Sequence, residues 1–202
     1  MYEEDKFTNF KKKKDMYRIL LLFALLSISI CSQAQLTLNN VVLPAKVSYH
    51  EETLVLNGGG IRSKLFFKLY TIGLYLPSKS ANISAILSSD EMLAVRFEIT
   101  SDMINSDNMS EAINEGFDKS TNGNTKTIRT RIDHMLKTFS SEAIVPGNVF
   151  ELVYVADKGT EIYKNGLLKT TIQGKDFKKA VFGIWLGENP INSGLKKDLV
   201  GH

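Results

Sequence analysis

Residues 56–83 of the chain read LNGGGIRSKLFFKLYTIGLYLPSKSANI. Three consecutive glycines and one arginine precede a long run of aromatic and aliphatic residues, the types that favour β-strands. In residues 61–76 both alternate sets of side chains are largely apolar, which predicts one long central strand covered on both faces of a sheet. Arg62 is the exception, because its guanidinium keeps its charge and has a planar fork suited to a carboxylate or another oxyanion. A surface arginine at a strand end is the alternative interpretation.

The glycine run at residues 58–60 has two interpretations. Glycine-rich loops can bind phosphate, but this run lacks the Gly-Lys-Ser/Thr ending of a P-loop and precedes a strand instead of a helix. The backbone N–H groups of a helix start would therefore be missing. The sequence predicts a tight turn here.

The composition excludes several classes of protein. Of the 202 residues, 43% are hydrophobic and 23% are charged, which is typical of a globular protein and not of a disordered or fibrous one. The first 34 residues contain six basic and four acidic residues, so the net charge falls from +3 to +1 without them. No basic stripe with interleaved aromatic residues follows, and we expect no nucleic-acid partner.

Residues 1–34 have the pattern of an N-terminal extension and a cleavable signal peptide. The basic stretch KKKKDMYR precedes the apolar run ILLLFALLSISI, residues 19–30, and small residues follow. The apolar run is shorter than the roughly 20 residues that a spanning helix needs, so we expect no permanent membrane anchor. We expect cleavage near Ala34 and a periplasmic or secreted domain of residues 35–202.

Two alternatives concern this N-terminal segment. Cys31 is the only cysteine and could carry a lipid, but Ile30 stands where a lipobox has a small residue. Met16 could begin a conventional signal peptide by itself, in which case residues 1–15 are not translated. In either case the domain that follows has no disulfide and depends on its core for stability.

The order of the predicted elements indicates the fold class. Short strands are predicted in VVLPAKVSY and ETLVLNG, the central strand follows, and after a short helix at residues 81–87 comes the strand LAVRFEITS. Two helices follow, one near residues 110–120 with Ser110 as its N-cap and one with apolar residues at Ile128, Ile132, Met135 or Leu136, and Phe139. The strand VFELVYVAD, a hairpin at Asn165 and Gly166, and a helical end complete the chain. This order predicts an α+β fold with a largely antiparallel sheet.

Other polar residues give no sign of a metal or cofactor site. The histidines, His50, His134 and His202, are far apart and lack ligand spacing. The acidic pairs Asp90 with Glu91 and Asp157 with Glu161 stand near predicted turns, where solvated carboxylates are usual. We expect neither a metal ion nor a cofactor.

Two motifs carry a resemblance to a known family. The stretch NGGGIRSKLFFKLYTIGLYL, residues 57–76, and the C-terminal VFGIWLGENPINSGLKKDLVG resemble the chalcone-isomerase-like superfamily. The resemblance spans roughly residues 37–201 and implies an open-faced β-sandwich with a helical layer and a cleft between the long strand and the helices. In the plant enzymes of this superfamily a chalcone cyclises in the cleft, and in non-catalytic relatives the cleft holds a fatty acid. In both, the arginine after the glycines contacts the ligand oxyanion, and Arg62 matches it.

The other polar cleft positions of the enzymes are not matched. Tyr70 stands where they have a threonine, with Thr71 beside it, and SDNMSEAINE lacks the tyrosine and lysine expected at the start of a helix. Asn114 lies near the position of the following asparagine, and Ile184 stands where a hydroxyl residue is expected. The resemblance therefore implies ligand binding more than catalysis.

The candidate ligand-binding residues follow from these motifs. Arg62 is the predicted anchor and Tyr70 a possible phenolic donor. The other candidates are Thr71, Phe66, Lys68, Tyr75, Met103, Asn114 and Trp185. The expected partner is a small amphipathic carboxylate or phenolate.

Three functions remain open from the sequence. The first is a non-catalytic exported protein that binds a small apolar anion, such as a fatty acid. The second is an intramolecular lyase or isomerase of the chalcone isomerase type, with Arg62 and Tyr70 as its catalytic candidates. The third is a structural or interaction module whose cleft is filled by its own side chains.

Overall fold

The computed structural model of the protein describes residues 35–201. The predicted signal peptide, its cleavage near Ala34, the Cys31 alternative and His202 lie outside the described residues. The strands are β1 (Leu36–Leu38), β2 (Val41–Leu43), β3 (Lys46–Tyr49), β4 (Glu52–Lys64), β5 (Phe67–Leu76), β6 (Leu93–Ile99), β7 (Val149–Val155), β8 (Gly159–Lys164) and β9 (Leu167–Ile172). The helices are α1 (Ile83–Ser88), α2 (Ser106–Ser120), α3 (Arg129–Ser140), α4 (Lys175–Leu186) and α5 (Ser193–Val200), and a 3₁₀ turn (Lys126–Ile128) precedes α3.

The fold is a seven-stranded antiparallel sheet with helices on one face. Strands β3 to β9 are arranged in sequence order, each paired with its neighbours in the chain. Helices α2 and α3 connect β6 to β7, and α4 and α5 follow β9. The separate β1–β2 hairpin packs on the other face of β4 and β5. The predicted α+β class with a largely antiparallel sheet and a helical layer is confirmed.

The central segment contains two strands where the sequence predicted one. Strands β4 and β5 pair antiparallel, with Lys64 opposite Phe67, so the chain reverses at Leu65 and Phe66. Leu65 has a φ of 56°, in the left-handed region that leucine rarely adopts. The single-strand prediction was wrong because this turn contains none of the residues that usually mark a reversal.

The tight turn predicted at residues 58–60 was also wrong, because the three glycines lie inside β4. A Cβ atom on Gly58 would be 2.2 Å from the carbonyl oxygen of Asp198 in α5. A Cβ atom on Gly59 would be 2.5 Å from Leu43, in the hairpin on the opposite face. The glycines are needed because helix α5 and the β1–β2 hairpin both approach the backbone of β4 closely.

The main core lies between the sheet and the helices. Ile72 and Leu74 of β5 are fully buried in it, together with Phe117 of α2 and Ile132 of α3. Tyr75 points into a second apolar cluster on the other face of the sheet. The prediction that this strand is covered on both faces is therefore correct for β5.

Local sequence signals set the ends of several elements. Asn165 and Gly166 form the turn between β8 and β9, as predicted, with φ values of 52° and 77°. Helix α2 begins four residues before the predicted N-cap Ser110. Its N-cap is Asn105, whose side chain forms a capping box with Asn108.

One carboxylate that the sequence predicted to be solvated is buried in the structure. Glu161 lies in β8 and is 3% exposed. Tyr163 donates its hydroxyl hydrogen to a Glu161 oxygen at 2.6 Å, and His50 Nε2 lies 2.9 Å from the carboxylate. Burial and the contact with Glu161 raise the pKa of Tyr163 above its usual value. No group of acidic, histidine or cysteine side chains within residues 35–201 has the arrangement of a metal site.

A buried lysine joins α4 to the end of α1. The Lys178 ammonium donates to the carbonyl oxygens of Ile86 and Ser89, at 3.1 and 2.6 Å, and lies 4.8 Å from the centre of the Tyr154 ring. Burial lowers the pKa of Lys178 from 10.5 to about 8. Between these two values the unfolded chain binds more protons than the folded chain, so folding stability rises with pH.

We expect the Lys178→Met variant to lose this pH dependence. In the parent protein the free energy of unfolding should rise by up to about 2 kcal/mol between pH 8 and pH 10 from this group. The buried tyrosines, whose raised pKa values lower stability as the pH approaches and passes 10, affect both proteins alike, so the difference between the two profiles reports on Lys178. Urea unfolding at several pH values measures the difference, and parallel pH profiles for the two proteins would contradict it.

Candidate functional site

An apolar cavity lies between the turn end of strands β4 and β5 and helices α2, α3 and α4. Its volume is about 270 Å³, near the lower end of the range for small-molecule sites. Side chains from both layers of the fold line it. The apolar lining residues include Leu69, Phe97, Met109, Ile113, Met135, Phe139, Leu152, Ile184 and Trp185.

Arg62 brings a positive charge to this apolar cavity. It is half-buried on β4, directly opposite Tyr70 of β5 in the strand pairing. Its guanidinium donates a hydrogen bond to the carbonyl oxygen of Ser63. No carboxylate within residues 35–201 forms an ion pair with Arg62. Most of its donors therefore remain available to a bound anion.

Tyr70 places a neutral hydroxyl beside Arg62. Its oxygen accepts a hydrogen bond from Trp185 Nε1 at 3.0 Å. Burial raises the pKa of Tyr70, although the Trp185 hydrogen bond and the Arg62 charge partly oppose this effect. The phenol is thus protonated at neutral pH, and no acceptor in the described part of the chain takes its hydrogen. Arg62 and Tyr70 together provide a charged and a neutral donor at one end of the cavity.

The walls behind these donors are apolar and aromatic. The Phe97 ring lies 5.2 Å from that of Tyr70 and stacks on Phe150 at 5.4 Å, and Phe150 stacks on Phe139 at 4.8 Å. Packed rings of this kind leave little freedom for the walls to collapse into the cavity. A hydrocarbon chain placed here would be removed from water on most of its surface.

The cavity opens beside the β4–β5 turn. Three lining residues there are largely exposed: Leu65 at 85%, Phe67 at 50% and Met103 at 49%. Lys64 lines the same opening. The arrangement combines an apolar interior, paired polar donors and an apolar mouth, which is the chemistry of a site for an amphipathic anion.

Comparisons with known proteins identify the family of the chain. The model of the family described as chalcone isomerase-like matches residues 35–201. The chain belongs to the chalcone isomerase-like family. The resemblance found in the sequence is thus confirmed. A comparison with curated protein sequences finds no match.

A solved structure has the same chalcone isomerase-like fold. The crystal structure of a fatty-acid binding protein of Arabidopsis thaliana superimposes with a TM-score of 0.66 at 13% sequence identity. The match covers 83% of this chain and 96% of the plant protein. At this identity the likeness establishes the fold alone.

The cavity of this chalcone isomerase-like chain contains four of the residues predicted from the sequence. Arg62, Tyr70, Met103 and Trp185 line it. Trp185 also donates a hydrogen bond to the Tyr70 hydroxyl and so orients it. Whether these residues bind a ligand stays a prediction.

Four other predicted residues lie on the β4–β5 hairpin but away from the cavity. Thr71 is fully buried against the β1–β2 hairpin, where its hydroxyl donates to the Leu38 carbonyl at 3.4 Å. Tyr75 points into the cluster on the outer face. Phe66 is 97% exposed, and the Lys68 ammonium donates to Asn39 Oδ1 at 3.4 Å. Side chains alternate between the faces of a strand, so neighbours in sequence do not share a site.

Asn114 is also directed elsewhere. Its amide nitrogen donates to the Ser110 carbonyl at 3.1 Å, and its oxygen accepts from Arg129 at 3.0 Å. It therefore joins α2 to α3 and does not line the cavity.

The sequence reasoning missed most of the cavity wall. Met135 and Phe139 were assigned to the apolar face of their helix, and the structure shows that both side chains also line the cavity, as does Ile113 of α2. Ile184 was identified only as an unmatched position. The signal was present in the helical spacing, but apolar walls and an apolar core give the same pattern.

Proposed function

We propose that the protein binds a small amphipathic carboxylate, such as a fatty acid, without transforming it. The carboxylate contacts Arg62 and Tyr70, and the hydrocarbon chain lies among the apolar walls. The observation that carries this proposal is the presence of an arginine without a carboxylate partner in the described chain, beside a protonated phenol, at one end of an apolar cavity. Charge-assisted hydrogen bonds fix the head group, and burial of each CH₂ contributes about 0.8 kcal/mol.

Two further observations support binding of a ligand. The cavity retains about 270 Å³, which is space that the protein's own side chains do not fill. The fold is similar to that of a plant protein described as fatty-acid binding. An isomerase would need further polar groups to position a substrate and transfer protons, whereas most of the remaining cavity wall is apolar.

Fluorescence of Trp185 tests this proposal directly. Trp185 is the only tryptophan in the chain and lines the cavity, so its emission reports on the site. Delipidated protein titrated with a long-chain fatty acid should show a saturable change in emission, and the corresponding methyl ester should bind more weakly because it lacks the charge. Mass spectrometry of an organic extract from the purified protein should identify a carboxylate. A ligand-free extract together with no saturable response would contradict the proposal.

We also propose that the protein is exported after removal of residues 1–34. The basic stretch, short apolar run and small residues of this segment support the proposal. No helix within residues 35–201 is long and apolar enough to cross a membrane. Intact-mass analysis of protein from the periplasm or medium should give a chain that begins at Gln35. A dominant form acylated at Cys31 would contradict cleavage at this position.

A further inference from the structure

The exposed apolar side chains of the domain are concentrated at one end of the sheet. Eight large apolar residues in residues 35–201 are strongly exposed, and all but Val42 lie at the same strand ends. These seven form what we call the apolar rim: residues 65–67, Met103, Val145 and residues 167–168. Val42 lies in the β1–β2 hairpin on the outer face.

The strand pairing shows why these residues meet. Lys64 pairs with Phe67, Glu98 with Val149 and Lys164 with Leu167, so the β4–β5 turn, the β6–β7 connection and the β8–β9 turn share one end of the sheet. Adjacent strands are about 4.8 Å apart, so the rim extends roughly 20 Å from the first turn to the last. Its Leu65 end is also the mouth of the cavity.

The opposite end of the sheet has a different surface. The turn between β3 and β4 contains His50 and Glu51, and the turn between β7 and β8 contains Asp157 and Lys158. The connection after β5 begins PSKS, at residues 77–80. None of the strongly exposed large apolar side chains of the described chain lies there. The apolar exposure is thus specific to the end that contains the cavity mouth.

The charges of the rim favour an anionic surface. No acidic residue occurs between Glu52 and Asp90, whereas Arg62, Lys64 and Lys68 flank the apolar turn. Acidic residues also lie at this end, among them Asp102, Asp107, Glu142 and the cavity-lining Glu115, which forms an ion pair with Lys119 at 2.7 Å. Glu142 is neutralised by Lys169 at 2.6 Å and by Lys164 at 3.2 Å. Exposed aromatic and leucine side chains with lysines beside them are typical of segments that enter the headgroup region of a bilayer.

We propose that the apolar rim docks on an anionic lipid bilayer, with Leu65 and Phe66 inserted at the headgroup level. Lys64 and Lys68 then contact lipid phosphates, and the mouth of the cavity faces the membrane. A carboxylate ligand could pass between the bilayer and the cavity without crossing bulk water. The docking itself depends on the rim and not on which ligand the cavity holds.

A probe at the tip of the β4–β5 turn tests the docking. An environment-sensitive fluorophore is attached to Phe66→Cys in the full chain with Cys31→Ser, so that only the tip is labelled. We expect a blue shift of emission with vesicles of phosphatidylcholine and phosphatidylglycerol, and a smaller one with phosphatidylcholine alone. The same probe on Lys158→Cys, at the polar end, should not respond. Because the probe reports only its own surroundings, binding through the apolar N-terminal segment does not imitate this result.

Substitutions elsewhere on the rim test its extent. Leu167→Asp, read through the Phe66→Cys probe, should raise the vesicle concentration needed for half of the response by at least about tenfold, because it places a charge at the buried surface. Val42→Asp adds the same charge outside the rim and should leave that concentration unchanged. Equal effects of the two substitutions would overturn the proposal, as would a Phe66→Cys probe that ignores anionic vesicles.

Two further outcomes have a defined meaning. In buffer without vesicles, Leu167→Asp should bind a fatty acid with unchanged affinity. If the fatty acid binds normally and the Phe66→Cys probe does not respond to vesicles, docking through the rim is wrong and the proposed function stands. If the probe responds and no fatty acid binds, the proposed function is wrong and docking through the rim stands. If the protein forms dimers in buffer without vesicles and Phe66→Asp disrupts them, the rim is a contact between two copies of the chain. That result would overturn docking on lipid.

Discussion

Replacement of Arg62 by alanine is expected to weaken the binding of a long-chain fatty acid by roughly 1.5–3 kcal/mol, the range for hydrogen bonds to charged groups. This corresponds to a loss of about 10- to 150-fold in affinity. The cause is the removal of the charged donor at the polar end of the cavity, which leaves the neutral Tyr70 hydroxyl to bind the carboxylate. Isothermal titration of delipidated protein measures the change.

Two variants serve as controls for this prediction. Arg62→Lys keeps the charge but loses the planar fork, so it should recover only part of the affinity. Lys68→Ala removes one positive charge from the same hairpin, and the Lys68 side chain lies against Asn39 outside the cavity. A loss of affinity in Lys68→Ala equal to that in Arg62→Ala would indicate a general charge effect instead of a specific anchor.

The stability of the ligand-free variants separates an anchor from a structural residue. Arg62 is half-buried, forms no ion pair with a described residue and donates to the adjacent Ser63 carbonyl. Arg62→Ala should therefore melt close to the parent protein when delipidated. Unchanged affinity together with a loss of several kcal/mol of stability would make Arg62 a structural residue and remove the main support for the proposed function.

The order of elements could be predicted because each depends on local signals. Asn165 and Gly166 form the predicted hairpin turn because both residues tolerate positive φ. The spacing of the apolar residues Ile132, Met135 and Phe139 identified α3, because residues on one helical face recur with the helical period. Such patterns require no knowledge of distant parts of the chain.

The β4–β5 hairpin could not be predicted because its causes are not local. Gly58 and Gly60 look like turn residues until helix α5, almost 140 residues later, is known to pack on them. Leu65 and Phe66 look like strand residues because nothing in their identities indicates a reversal. In hindsight the apolar turn is informative, since a leucine at positive φ with an exposed phenylalanine beside it has no role in the core.

The site was found only in part for a similar reason. Arg62 was identifiable because a charge in an apolar segment is unusual, and Tyr70 because the resemblance places it where the plant enzymes have a cleft threonine. The apolar walls were not, because Met135 and Phe139 satisfy the pattern of a core whether or not a cavity lies beside them. Thr71 and Tyr75 were included because sequence proximity was given more weight than the alternation of faces along β5.

The contact between β4 and α5 leads to the largest expected loss of stability. Gly58→Ala should destabilise the protein by roughly 3 kcal/mol, the upper part of the range for overpacked cores. The added Cβ would lie 2.2 Å from the Asp198 carbonyl oxygen and 2.6 Å from that of Leu199, and neither backbone group can rotate away. Movement of the helix would also break the 2.9 Å hydrogen bond from Asn57 to the Leu199 carbonyl. Urea unfolding monitored by circular dichroism gives the difference.

Two further alanine substitutions, one at the same contact and one away from it, make this prediction specific. Gly60→Ala would meet the Leu195 side chain at 2.6 Å, and because a side chain can shift, the loss should be smaller, about 1 kcal/mol. Gly194→Ala lies on the exposed side of α5, 3.3 Å from an Asn192 side-chain oxygen, and should change stability by no more than about 0.5 kcal/mol. The expected order of destabilisation is Gly58, then Gly60, then Gly194. If Gly58→Ala is no less stable than Gly194→Ala, close approach of α5 to β4 is not the reason for the glycine run.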